Sequence, residues 1–266
     1  MADSEKPSSS VQFLDRPDGE TIAYHFSGAK SPAQNHYCGV VFLGGFMSDM
    51  SGTKATTLEA HCKKTGRPFV RFDYMGHGQS SGRFVDGTIG RWREDTLAIL
   101  DEVIEGPVVL VGSSMGGWIS LLAALARPER VTGLVCVAPA PDFTEELMWP
   151  ALDDDARYDL ETTGVTYQIS EYADEPYVIA LRLIEEGRNH LLLQGPIAVT
   201  CPVRVLQGME DPHVPWPHAQ RLVEKLESRD VVLSLVKSGD HRLSEPDDLV
   251  RLTDSIDELT GKSDVN

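Results

Sequence analysis

The stretch Val111–Trp118 reads VGSSMGGW and continues an apolar run that is typical of a buried strand. Gly112, Ser114 and Gly116 match the pattern Gly-x-Ser-x-Gly, in which a serine occupies a sharp turn between a strand and a helix. Such a turn tolerates no bulky side chain two residues before or after the serine, and glycine meets that steric demand. We therefore interpret Ser114 as a nucleophile and Ser113 as a bystander.

Glycine-rich turns between a strand and a helix also bind phosphate, so two other kinds of site compete with this interpretation. The stretch lacks the Gly-Lys-Ser/Thr that ends a P-loop, and it lacks the G-x-G-x-x-G pattern of a dinucleotide-binding fold. The segment Gly76–Ser80 resembles that second pattern, but no amphipathic helix opens there. A turn that only packs against its neighbours remains the alternative to a nucleophile.

Outward from this turn, short apolar runs alternate with segments of helical periodicity. The apolar runs are Val40–Leu43, Phe69–Phe72, Val108–Val111, Val131–Val137, Val203–Leu206 and Val231–Val236. The helical segments include Thr56–Thr65, Ile89–Ile104 and Met115–Ala126. This alternation predicts an α/β fold, with a mostly parallel sheet covered by helices on both faces. Two further runs, Val11–Leu14 and Thr21–Phe26, flank an Arg-Pro-Asp-Gly turn and predict an antiparallel hairpin at the edge of what is then an eight-stranded sheet.

The alternation stops between about residues 142 and 196, where acidic and aromatic residues dominate. We interpret this segment as a helical cap inserted into a single domain of residues 11–266, which is a length that one core can serve. A solvated surface excursion without functional use is the alternative. Residues 1–10 are polar, and we expect them to be disordered.

The excess of acidic residues limits which classes of macromolecule the chain can bind. The chain has 41 acidic against 24 basic residues and a formal net charge of −17, which disfavours binding to nucleic acid and to anionic membranes. The polar start and the lack of a long apolar run predict a soluble, cytoplasmic protein without stable membrane insertion. Four scattered cysteines without C-x-x-C spacing predict reduced thiols, with neither zinc nor disulfides.

A serine hydroxyl is a weak nucleophile, so a base must take its proton and a carboxylate must orient that base. In sheets of this kind the acid and the histidine follow the serine in chain order, each in a loop after a later strand. The last two apolar runs lead to Asp211 and to His241. We predict that both form a triad with Ser114. Glu210 is the alternative acid, and the other histidines lack the required position.

Acyl transfer also needs N–H donors for the oxyanion, which commonly come from the residue after the nucleophile and from the loop after an earlier strand. We expect these donors to be the backbone N–H groups of Met115 and Phe46. Phe46 belongs to the stretch FLGGFMSD, whose glycines permit the backbone to turn inward. An ordinary strand-to-helix turn is the alternative for this stretch.

The stretches FLGGFMSDMSGTK, RFDYMGHGQSSG, GSSMGGW, ARPERV, GMEDPHVPW and DHR resemble the α/β-hydrolase fold serine hydrolases, over nearly the whole chain. Within them, the chain is similar to the branch of a mitochondrial acyl-protein thioesterase (depalmitoylase) that also cleaves acyl glucuronides. The resemblance implies the triad above and hydrolysis of carboxylic esters or thioesters, on acyl-protein or small-molecule substrates, without a cofactor or metal. This chain has Gly44-Gly45 where the wider group commonly has His-Gly. The oxyanion loop therefore lacks the histidine that usually serves as one of its polar anchors.

The cap and the oxyanion loop are expected to set the shape of the substrate. The candidate apolar contacts are Met47, Trp118, Trp149 and Trp216, each of which could instead pack in the core. Three alternatives to an esterase stay open. A C–C bond hydrolase and a perhydrolase would use the same triad, and a non-enzymatic ligand receptor could share the fold. The sequence leaves the oligomeric state unassigned.

Overall fold

An eight-stranded sheet organises the part of the chain that this computed structural model describes, residues 10–28, 37–168 and 176–264. Apart from Ser10, the N-terminal segment expected to be disordered lies outside the described residues. In sheet order, the strands are β1 (Gln12–Asp15), β2 (Thr21–Ser27), β4 (Phe69–Phe72), β3 (Gly39–Leu43), β5 (Val108–Ser113), β6 (Val131–Val137), β9 (Val203–Gly208) and β10 (Val231–Val236).

The sheet confirms the predicted strand pattern. β1 and β2 form the antiparallel hairpin at the edge, and β2 also pairs antiparallel with β4. All other neighbours in this sheet run parallel. Every residue of β3, β4, β5 and β9 is buried, because helices cover both faces of the sheet. This double coverage explains why β3 and the first four residues of β5 read as continuous apolar runs.

Helices pack on both faces. They are α1 (Thr53–Thr65), α2 (Ile89–Ala98), α3 (Met115–Ala126), α7 (Trp216–Lys225) and α8 (Pro246–Asp264). Successive residues of β5 point to opposite sides: Leu110 joins the apolar cluster under α2, α3 and α7, whereas Val109 and Val111 join the cluster under α1 and α8. No helix within the described ranges combines the length and apolarity needed to cross a bilayer.

The segment predicted as Ile89–Ile104 is not one regular helix. α2 ends at Ala98 and continues into a wider π-helical turn, Ile99–Val103. The side chain of Thr88 accepts a hydrogen bond from the N–H of Arg91 at 3.2 Å and so caps the first turn of α2. The predicted start of α1 at Thr56 was three residues late, because the helix already begins after Gly52.

The cap contains strands as well as helices. Between residues 142 and 196 it comprises a π-helical turn (Thr144–Met148), α4 (Trp149–Ala151), α5 (Asp154–Thr163), β7 (Val165–Gln168), β8 (Tyr177–Ala180), α6 (Leu181–Gly187) and a 3₁₀ turn (Arg188–His190). β7 and β8 pair antiparallel outside the main sheet. The cap thus has the predicted helices and, in addition, a two-stranded hairpin that the sequence did not predict. Leu160, Ile179 and Ile184 belong to an apolar cluster of the cap itself, separate from the two sheet clusters.

A buried carboxylate joins the two ends of the cap. Asp142 is fully buried and has a φ of +58°, where the chain leaves the sheet. Its carboxylate accepts hydrogen bonds from the N–H of Leu192 at 2.8 and 3.0 Å and from the N–H of Leu193 at 2.8 Å, where the chain returns. Nearby, the His218 ring donates to the carbonyl of Pro141 at 2.7 Å. These contacts close the base of the insertion.

We expect Asp142→Ala to lower the free energy of unfolding by roughly 1–3 kcal/mol, because it leaves two backbone N–H groups buried without an acceptor. Asp142→Asn, which keeps one acceptor oxygen, should cost less. Urea unfolding at neutral pH measures both, with the exposed Glu129→Ala as a control for the loss of a carboxylate. Equal stability of Asp142→Ala and Glu129→Ala would show that the carboxylate does not hold the cap.

Candidate active site

Ser114 occupies a strained turn between β5 and α3. Its φ and ψ are +55° and −117°, a combination that residues other than glycine rarely adopt. Its N–H donates to the carbonyl of Val137 at 2.9 Å, and its own carbonyl accepts from the N–H of Ala140 at 3.1 Å. The neighbouring strand β6 and the residues after it therefore hold the serine in this conformation.

The glycines around Ser114 permit a close approach of backbone segments. A Cβ atom at Gly112 would overlap the carbonyl group of Gly116. A Cβ atom at Gly116 would in turn overlap the carbonyl oxygen of Leu43 and lie 2.6 Å from that of Gly44. Because these neighbours are backbone atoms, no rotation of a side chain could relieve the overlap, and only glycine fits at both positions.

His241 lies between Ser114 and Asp211. Its Nε2 is 3.1 Å from Ser114 Oγ, and its Nδ1 is 2.8 Å from Asp211 Oδ2. A carboxylate can only accept, so Nδ1 donates to Asp211 and the neutral imidazole keeps Nε2 as an acceptor for the serine hydroxyl. The structure thus brings together three side chains that are far apart in the sequence, in the arrangement that activates a serine.

The loop after β9 prepares Asp211 to remain ionised. Its Oδ1 accepts from the N–H groups of His213 at 2.8 Å and Val214 at 2.9 Å. Burial acts to raise the pKa of the Asp211 carboxyl, but the hydrogen bond and charge of His241 and the two backbone donors outweigh it and hold the pKa below the usual value. Glu210, the alternative acid, is exposed and forms none of these contacts.

The loop Gly44–Ser48 lies against Ser114. A Cβ atom at Gly45 would be 3.5 Å from Ser114 Cβ, so the two backbones are close. Ser48 closes the loop, since its N–H and Oγ donate to the carbonyl of Gly45 at 3.2 and 2.7 Å. Phe46 follows Gly45 within this loop. Met115 is the first residue of α3, and its side chain is fully buried. Both predicted oxyanion donors therefore belong to backbone segments beside the serine.

An aromatic cluster links this loop to the cap. The ring of Phe46 is 5.0 Å from that of Phe84, 5.9 Å from Phe143, 6.1 Å from Tyr177 and 6.3 Å from Trp92, measured between centroids. The sequence argument did not single out Phe84 or Phe143 and placed Tyr177 only among the cap aromatics. No local pattern could have found the cluster, because its members come from separate segments that meet only in the fold.

Two of the four predicted substrate contacts make contacts within the protein. Trp118 is fully buried, and its Nε1 donates to the carbonyl of His190 at 3.1 Å, so it anchors α3 to the end of the cap. The ring of Trp149 lies beneath the guanidinium groups of Arg157 and Arg188, at 5.4 and 5.7 Å.

The other two predicted contacts, Trp216 and Met47, are both partly exposed. Trp216 is half-buried at the start of α7. Met47 is 36 % exposed and lines a cavity of about 170 Å³ beside the loop Gly44–Ser48. The remaining residues around this cavity are Ser48, Asp49, Gly76, His77, Gly78 and Phe84. Of the four candidates, Met47 is the one that lines this cavity.

The other reactive groups do not form a second centre. Within residues 10–28, 37–168 and 176–264, no group of three or more His, Cys, Asp or Glu side chains could hold a metal ion. Cys38, Cys62, Cys136 and Cys201 are all free thiols. Burial raises the pKa of Cys62 and Cys136 to about 12, which keeps both thiols protonated.

A model of the alpha/beta hydrolase family matches residues 40–252. The chain belongs to this family. The match spans β3 to α8, and it therefore includes the serine turn, the acid loop and the histidine loop. It agrees with the fold that the sequence predicted: a mostly parallel eight-stranded sheet with an antiparallel hairpin at its edge.

Relatives within the family resemble this chain over nearly its full length. It is 42 % identical over 254 residues to a bovine protein named palmitoyl-protein thioesterase ABHD10, mitochondrial, covering 95 % of this chain and 81 % of that one. The structure of mouse alpha/beta hydrolase domain-containing protein 10 matches with a TM-score of 0.84 at 42 % identity, covering 95 % and 99 % of the two chains. A structure from Agrobacterium vitis S4 matches with a TM-score of 0.89 at 43 % identity, covering 94 % and 98 %. These similarities confirm the resemblance to the depalmitoylase branch.

The lowered pKa of Asp211 predicts a pH-dependent contribution to stability. A carboxyl whose pKa is lower in the folded than in the unfolded state stabilises the fold above the unfolded value, and this contribution is lost as the pH falls through the folded value. We therefore expect Asp211→Asn to be less stable than the wild type at neutral pH. The difference in unfolding free energy should shrink as the pH falls below the usual Asp value of 3.8.

Urea unfolding across this pH range measures the difference. Glu210→Gln, which removes the exposed neighbouring carboxylate, is the matched control and should show a smaller difference at neutral pH. A stability gap between wild type and Asp211→Asn that stayed constant with pH would contradict the assignment.

Proposed function

We propose that this chain is a serine hydrolase that cleaves thioesters and carboxylic esters of acylated proteins or small molecules. The observation that carries the proposal is the position of His241, hydrogen-bonded at once to Ser114 Oγ and to Asp211 Oδ2. The relatives named palmitoyl-protein thioesterase support the thioester part of the proposal, since they are 41–42 % identical to this chain over 254 aligned residues.

In the first half of the reaction, His241 Nε2 takes the proton of Ser114 as Oγ attacks the acyl carbonyl. The new C–O bond places negative charge on the carbonyl oxygen. This oxygen accepts hydrogen bonds from the N–H groups of Phe46 and Met115. Asp211 stays ionised and stabilises the imidazolium through Nδ1–H. The tetrahedral intermediate then breaks its bond to the leaving group, which departs as a thiol or alcohol with the proton from His241.

In the second half, water replaces the leaving group. His241 takes a proton from the water, whose oxygen attacks the carbonyl of the acyl-Ser114 ester. When this second tetrahedral intermediate breaks down, Ser114 Oγ recovers its proton from His241 and the carboxylic acid leaves. The cycle thus consumes one water and restores every side chain.

Aromatic packing at the cap bears on the size of the acyl group. Phe46 packs against Phe143 and Tyr177, so the cap closes over the loop beside the serine. We expect a long acyl chain to require the cap aromatics to separate from Phe46.

We expect Ser114→Ala to lower kcat/KM on thioester and ester substrates by about a thousandfold or more, because it removes the nucleophile. Ser113→Ala is the matched control, since it removes the adjacent hydroxyl and should retain turnover. Steady-state kinetics measure both variants, and intact-protein mass spectrometry of wild type and of Ser113→Ala should detect an acyl adduct that Ser114→Ala lacks. Turnover that survived in Ser114→Ala would refute the proposed nucleophile.

We expect the aromatic contact between Phe46 and the cap to restrict chain length. Tyr177→Ala should raise the ratio of kcat/KM for long over short acyl thioesters by roughly tenfold, because it removes the ring that closes on Phe46. Tyr158→Ala is the control, since Tyr158 also lies in the cap but is 67 % exposed. The same acyl groups offered as p-nitrophenyl esters separate acyl preference from leaving-group preference. An unchanged ratio in Tyr177→Ala would place the acyl site elsewhere.

A further inference from the structure

Gln207 lies at the end of β9, next to the loop that carries Asp211. It is the penultimate residue of β9 and is fully buried. Its Nε2 is 3.1 Å from Asp211 Oδ2, 3.1 Å from the carbonyl oxygen of Gly208 and 3.0 Å from that of Val214. All three neighbours are acceptors, so they fix the orientation of the amide: a flipped amide would place its oxygen against three other oxygens.

The other end of the same amide has no partner. Gln207 Oε1 is buried and accepts no hydrogen bond within the described part of the chain. A buried acceptor without a partner costs roughly 1–3 kcal/mol. An apolar side chain of similar length would avoid that cost. The chain therefore keeps a donor at this point although its acceptor is left unsatisfied, which indicates that the donor has a role.

The donor acts on the oxygen that faces His241. Asp211 Oδ1 receives two backbone N–H groups, whereas Oδ2 receives His241 Nδ1 and Gln207 Nε2. Gln207 thus stops the carboxylate from rotating and removes part of the negative charge that Oδ2 presents to the imidazole. Through the carbonyl of Val214, the same amide also holds the far end of the acid loop.

We propose that Gln207 is a positioning residue of the Ser114–His241–Asp211 triad, which acts through Asp211 to set the basicity of His241. This inference rests on the proposed hydrolase function. A hydrogen bond to a carboxylate stabilises its ionised form and weakens its attraction for a neighbouring cation. Without the Gln207 donor, Oδ2 favours the imidazolium more strongly, and His241 binds its proton more tightly.

Other charged groups surround the histidine and stay in place in the test. The ring of His213 lies edge-to-face against that of His241, with the centroids 5.4 Å apart. Asp240 and Arg242 flank His241 on its own loop. Lys54 of α1 donates to the carbonyl of Arg242, and Glu210 precedes Asp211. Since none of these groups is substituted, a change in the pH profile is assigned to position 207.

The experiment compares Gln207→Met and Gln207→Glu with the wild type and with Leu206→Met. Leu206 is the neighbouring buried residue of β9 and packs in the cluster under α1 and α8. Its substitution controls for the effect of changing a buried side chain on this strand, away from Asp211. The pH dependence of kcat/KM reports the ionisation of His241 in the free enzyme. In Gln207→Met, we expect the acidic limb to move to higher pH by about half a unit, with a several-fold lower kcat.

Gln207→Glu has the same shape and gives a different signature. Burial and the charge of Asp211 should raise the pKa of the new carboxyl, whose protonated form can still donate to Oδ2. Above the acidic limb of His241, activity should therefore be retained while the new carboxyl is protonated and fall as this carboxyl ionises, which adds a basic limb that the wild type lacks. Leu206→Met should keep the wild-type profile.

A second measurement is independent of turnover. The low-field proton NMR signal of His241 Nδ1–H should shift in both Gln207 variants and stay unchanged in Leu206→Met. If both variants lose only thermal stability and keep the wild-type pH profile and NMR signal, Gln207 is structural and the inference is overturned. If the wild type shows no Ser114-dependent turnover, the proposed function fails instead, and the NMR signal still tests the contact.

Discussion

The close approach of the backbone at Gly112, Gly116 and the end of β3 is the constraint on which the rest of the site depends. It allows α3 to start directly after β5 and holds Ser114 at a positive φ above the sheet edge. It also brings the carbonyls at the end of β3 next to α3, so the loop Gly44–Ser48 has to turn beside the serine. One steric requirement thus places the nucleophile and its neighbouring N–H groups together.

Buried carboxylates fix the loops around this turn. Asp142 accepts three hydrogen bonds at the base of the cap, and Asp211 accepts backbone and side-chain donors in the acid loop. A charge is costly in an apolar interior unless hydrogen bonds surround it. Here each carboxylate replaces its hydration with N–H groups from segments that have no regular secondary structure. These hydrogen bonds hold the irregular segments in place next to the strands that precede them.

The sheet, and the proximity of Ser114, His241 and Asp211, could be predicted because their signals are local. A strand covered on both faces is mostly apolar along its length, and the chain order serine, acid, histidine follows from successive strand ends. The cap hairpin was missed because β7 and β8 have only four residues each and pack on one small cluster. The contacts of Phe46, the burial of Trp118 and the amide of Gln207 depend on residues brought together only by folding, so no sequence window contains them.

Phe46 belongs to two parts of the molecule at once. Its backbone lies in the loop beside Ser114, and its ring packs against Phe143 and Tyr177 at the cap. Any substrate large enough to displace those rings also disturbs the loop that holds Phe46, whose N–H group we propose as an oxyanion donor. Substrate capture and stabilisation of the transition state are then coupled by induced fit, so discrimination between acyl groups would appear in kcat as well as in KM.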